Sequence, residues 1–188
     1  MKKTFSILLI AILLFTSLSF AGEEKPSGFD LETNQTIQFC GVEFSIPACY
    51  DGFEEDEDGA HIYYVEGRPS EIYFGAVELF IRPDLFKKTA AKMNEEAYAD
   101  FKENGEVENV EFLSSEWVRY DQLYGQLVHM KYTRVEKGEK VFNWYFTGHN
   151  PFLMKVFIVG CNYVDTEQLQ YDYCGDFINI LETAKFVD

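Results

Sequence analysis

"YGQLVHMKYTRVEKGEKVFNWYFTGHNPFLMKVFIVG", residues 124–160, holds β-rich runs separated by turn signals, and how it is read decides the fold. In the middle run Phe142, Trp144 and Phe146 alternate with Val141, Asn143, Tyr145 and Thr147. Successive side chains of a pleated strand leave opposite faces, so a period of two marks a strand with two distinct surfaces. Both surfaces are bulky here, and "LMKVFIVG" (153–160) is apolar on both sides of the alternation. A sheet made of such strands needs cover on both faces, from helices or from a returning hairpin. Lys137-Gly138 and Gly148-His149-Asn150-Pro151 supply the turns, and "VENVEFLSSEWVRY" (107–120) adds a strand that turns at Asp121. The middle of the chain therefore reads as an antiparallel meander, with core filling as the main use of its aromatics.

Before the meander lies one clear helix. Pro83 and Asp84 open it, and Phe86, Ala90, Met93, Ala97 and Phe101 recur at helical spacing before Asn104-Gly105 ends it. Further upstream, "TIQFCGVEFSIP" is a hairpin broken at Cys40-Gly41, and "HIYYVEG" and "SEIYFGAVELFI" are strands joined at Gly67-Arg68-Pro69. A second helix is expected over 165–186, capped by Asp165 or Thr166 and weakened at Gly175. These elements predict an α+β domain over 36–188, a central antiparallel sheet sandwiched by helices.

The N-terminus reads as an export signal. Lys2 and Lys3 precede the apolar stretch Phe5–Leu14, and Ser19-Phe20-Ala21 offers a cleavage site, so 1–21 is expected to be removed. Residues 22–35 then read as a linker, and no membrane span is expected after cleavage. The whole chain carries a net charge of -16, which becomes -18 once the two lysines leave. Such a surface repels phosphate backbones, which excludes nucleic acid as a partner. Asn34-Gln35-Thr36 forms an N-glycosylation sequon.

The opening hairpin with "VEFSIPACY", the strand pair, the single amphipathic helix, the meander and the closing "FINILETAKF" together resemble the PsbP-like family. That family includes extrinsic photosystem subunits, a Ran-binding import factor and bacterial secreted proteins. The resemblance covers roughly 36–186 and implies a binding or assembly factor without catalysis. Cys49 departs from it, standing just after "SIPA" where plant members carry a bulky aromatic.

Site candidates are few. Glu54, Asp56, Asp58 and Gly59 match positions of a calcium-loop template, but its twelfth position is Val65 and its eighth is His61. The loop 51–59 therefore reads as a solvated turn, with calcium as the only cofactor in view. His61, His129 and His149 are scattered, and no G-x-S-x-G elbow or phosphate loop is present. Tyr124 and Tyr145 are candidates for a shallow ligand groove.

Cys40, Cys49, Cys161 and Cys174 form an even set without a C-x-x-C knuckle, which in an exported chain points to disulfides over zinc. If the last helix folds back over its own strand, Cys161 and Cys174 come level, each about 13 Å from the intervening turn. Cys40–Cys49 is then the remaining pair, although about nine extended residues separate them. The alternative joins both late cysteines to the N-terminal hairpin. The functional expectation is an exported, non-enzymatic module that binds an extracytoplasmic protein or a small ligand. Its rivals are an extracytoplasmic hydrolase and a calcium-responsive surface protein.

Overall fold

The computed structural model describes residues 25, 27–31, 33–57, 59–68, 70–103, 105–165 and 171–187. The leader read at 1–21, Asp58, Asn104 and the cap candidate Thr166 lie outside them. A seven-stranded antiparallel sheet dominates, in the order β3 (Gly52–Glu55), β4 (His61–Tyr64), β5 (Ser70–Phe80), β9 (Lys155–Val164), β8 (Glu139–Asn150), β7 (Leu123–Arg134), β6 (Val107–Tyr120). The strands β6 to β9 form the expected meander. Its last turn sits later than expected, at 151–154, because β8 continues through Gly148 to Asn150. A Cβ on Gly148 would lie 2.4 Å from the Phe157 ring, so this glycine makes room for core aromatics instead of turning the chain.

A smaller sheet holds β1 (Asn34–Phe39), β2 (Val42–Pro47) and β10 (Lys185–Phe186). Cys40 and Gly41 have φ of 50° and 71°, the two left-handed residues of a tight hairpin turn. The stretch read as a linker contains the turn of helix α1 (Gly28–Leu31), and β1 begins at Asn34.

Helix α2 (Pro83–Glu103) follows its apolar spacing and packs on β6, β7 and β8. The closing helix α3 is shorter than its sequence pattern, spanning Tyr173–Glu182, and β10 takes the residues after it. Its cap is Asp172, which accepts a hydrogen bond from Gly175 N at 2.9 Å, and not Asp165.

The sheet has α2 on one face only. The other face carries the small sheet together with α3, around Phe44, Ile46, Phe74, Phe146, Phe157, Phe177 and Leu181. A plain helix–sheet–helix sandwich thus gives way to a sheet-dominated domain in which a hairpin supplies much of one cover. Among the described residues no helix is long and apolar enough to cross a membrane.

Candidate functional site

Between the C-terminal half of α2, the β3–β4 hairpin and the sheet lies a cavity of about 390 Å³. Sheet register builds its floor. Tyr73 faces Gly160, and Gly160 faces Tyr145, so the two phenols flank a position without a side chain. One step along, Glu71 faces Asn162, Asn162 faces Asn143, and Asn143 faces Met130. Tyr98 and Phe101 of α2 close it from above, and Tyr132, Ile62 and Ile158 complete the wall.

The polar row is hydrogen-bonded end to end. Asn143 Nδ2 donates to the Tyr73 hydroxyl at 3.1 Å and also to Asn162 Oδ1. Asn162 Nδ2 donates to Glu71 Oε1 at 2.7 Å, and the Arg134 guanidinium reaches that oxygen at 3.4 Å. Because the Tyr73 oxygen accepts from Asn143, its own proton is available to a ligand. Burial pushes the Tyr145 phenol up to about 12. Tyr73 and Tyr132 are raised for the same reason, partly offset by hydrogen bonds from Asn143 and Arg134 respectively. The phenols are therefore neutral donors near neutral pH, suited to orienting a ligand and not to accepting its protons.

Of the two groove tyrosines, Tyr145 lines this cavity and Tyr124 does not. Tyr124 stacks on Trp117 at 5.4 Å and lies edge-on to Phe86, as part of the packing under the start of α2. The acidic stretch also differs from its template. Glu54 and Glu55 belong to β3, whose alternation sends them to opposite sides, and Asp56 Oδ1 accepts from Ala60 N at 2.7 Å to close the hairpin. Gly59, with φ of 76°, completes that turn. No three His, Cys, Asp or Glu side chains converge on a metal-sized site among the described residues. Asp56, one of the calcium candidates, also lines the cavity.

The histidines hold structural positions. His149 Nε2 donates to the Ile81 carbonyl at 2.7 Å and stacks on Phe86. His129 stacks on Trp144 at 3.9 Å, and burial lowers its pKa. His61 meets Phe39 and Phe53 edge-on.

Cys40, Cys161 and Cys174 carry free thiols, and Cys49 is buried. Burial pushes the Cys161 thiol up to about 12 and raises Cys40 and Cys174 as well, the reverse of what a thiolate nucleophile needs. Cys174 is near enough to Cys161 to add to that rise. Cys40 and Cys49 stand at opposite ends of an unbroken β2, on the order of 15 Å apart at a strand's rise, well beyond disulfide reach.

No protein-family model matches the chain, and no curated protein matches it. Solved structures do. The Ran-binding protein Mog1p of Saccharomyces cerevisiae aligns over 84% of this chain and 97% of its own, at 11% identity and a TM-score of 0.47. Cyanobacterial PsbP from Synechocystis aligns over 90% and 99%, at 11% identity and a TM-score of 0.49. These are the two kinds of protein that the sequence resemblance names.

Proposed function

We propose that this chain is an exported, non-catalytic binding module that holds a small ligand in the cavity beneath α2. The observation that carries this reading is the cavity itself. Its volume of about 390 Å³ falls within the range of roughly 300–1,000 Å³ usual for small-molecule sites, and aromatic walls surround a short polar row. Nothing in that row resembles a nucleophile paired with a base, so its chemistry is recognition. Export would also place Cys161 and Cys174 where a disulfide can tie α3 to β9. Non-reducing peptide mapping of the mature protein, with sequencing of its N-terminus, tests both points.

Ala97 sits on the open side of the cavity and is exposed. An Ala97→Trp variant should fill the space without disturbing the core. In a ligand-observed NMR fragment screen, binders of the native chain should lose their signal with this variant. A set of binders indifferent to the substitution would move the site elsewhere.

A second reading, a protein partner, has its own observation. Phe80 and Phe152 are 77% and 78% exposed, and Leu153 and Met154 of the β8–β9 turn lie partly bare beside them. Met154 O accepts from Ile81 N at 2.8 Å, which joins the two segments into one apolar tip. Apolar groups gathered this way mark contact surfaces more often than scattered ones do. A Phe80→Ser, Phe152→Ser double variant should retain its fold yet lose any partner recovered by crosslinking with the native chain.

A further inference from the structure

We infer that the ligand of the α2 cavity is an organic cation, an alkylated or quaternary ammonium group on a compact apolar body. The inference rests on the cavity being the binding site. Five rings line it, from Tyr73, Tyr98, Phe101, Tyr132 and Tyr145. Aromatic faces carry negative potential, and several rings about one space form the arrangement that attracts ammonium groups without hydrogen bonds.

The charged groups in the wall have one sign. Among the described residues Asp56 and Glu71 line the cavity and no Lys, Arg or His does, while Arg134 reaches Glu71 and Tyr132 from the adjoining cleft. Glu71 is held in place through Oε1 by Asn162 and Arg134, and among the described residues no hydrogen bond engages Oε2. A net charge of -16 over the chain adds a long-range field that concentrates cations at the surface. The adjoining cleft of about 210 Å³ shares Glu71 and Asn162 with the cavity but mixes Arg68, Arg134 and Lys137 with Glu71 and Glu139. It is polar, and Tyr163 is the one ring among its described lining residues, so it lacks the aromatic enclosure of the chamber.

Three probes of nearly one shape separate the possibilities: choline, its carbon isostere neohexyl alcohol, and the anion tert-butylacetate. Each is titrated into the full chain and followed by NMR at low salt. Choline should bind at least about tenfold more tightly than the alcohol, the difference expected of a cation facing rings and carboxylates. Asp56→Asn and Glu71→Gln should each weaken choline several-fold and leave the alcohol unchanged. Added salt should weaken choline alone. Equal binding of choline and alcohol, or a preference for tert-butylacetate, overturns the cation and leaves the cavity as the site, provided Ala97→Trp abolishes that binding. If no probe binds the native chain, or Ala97→Trp changes none of the affinities, the cation and the cavity reading both fail.

Discussion

A methyl group placed on Gly160 would sit 2.0 Å from the Tyr73 ring, far inside any tolerated contact. The ring can lie across the strand only because that position is bare. Gly160→Ala should therefore cost about 1–3 kcal/mol in urea denaturation, as overpacked cores do, and should drive Tyr73 toward the cavity. A variant of native stability would show that the ring does not occupy that place.

Asp176 tells a different story on the opposite face. Its carboxylate accepts from Gly28 N at 2.9 Å on each oxygen and from Ser27 Oγ at 2.5 Å. Burial nonetheless raises its pKa, with those bonds opposing the rise. The native state thus keeps this proton to higher pH than the unfolded chain, whose aspartates titrate near about 3.9. The contribution to stability is whole below that value and shrinks as pH climbs through the native pKa. Urea midpoints of the native chain, taken relative to Asp176→Asn, should fall across this window as pH rises, and a rising difference would reverse the assignment.

At the level of elements, local pattern and partner-made structure separate cleanly. The meander and α2 were legible because alternation and 3.6-residue spacing are properties of consecutive residues. β10 is two residues long, and β3 is half acidic with neighbours that read as a solvated turn. Both owe their extended form to the strands beside them, which no short window reveals. The site divides in the same way. Tyr145 stood out in an aromatic strand, whereas its neighbours Tyr73 and Asn143 are 70 residues apart in sequence and meet only through register.

Helix α3 shows how a propensity argument can invert. Gly175 reads as a weak point that alanine would improve by about 1 kcal/mol. In the fold its N–H binds the Asp172 cap, and a Cβ there would lie 2.3 Å from that carboxylate. Gly175→Ala should displace the cap and destabilise by about 1 kcal/mol in thermal or chemical melts. A gain in stability would mean that the cap contributes little.

For the whole molecule, the long sheet has two terminal strands, β3 and β6. An edge strand offers unpaired backbone groups to any other chain, and proteins blunt such edges with charge and irregularity. β3 carries exposed Glu54 and Glu55. β6 carries Glu108, Glu111 and Glu116, a left-handed Asn109 with φ of 53°, and register shifts near Glu108–Glu111 and Phe112–Ser114. Replacing Glu54 and Glu55 with Val should leave the fold intact and raise light scattering with concentration, and a variant as monodisperse as the native chain would dismiss this role. Glu54 and Glu55, from a stretch first read as a solvated turn, thus act as fenders, keeping one copy of the molecule from berthing against the next.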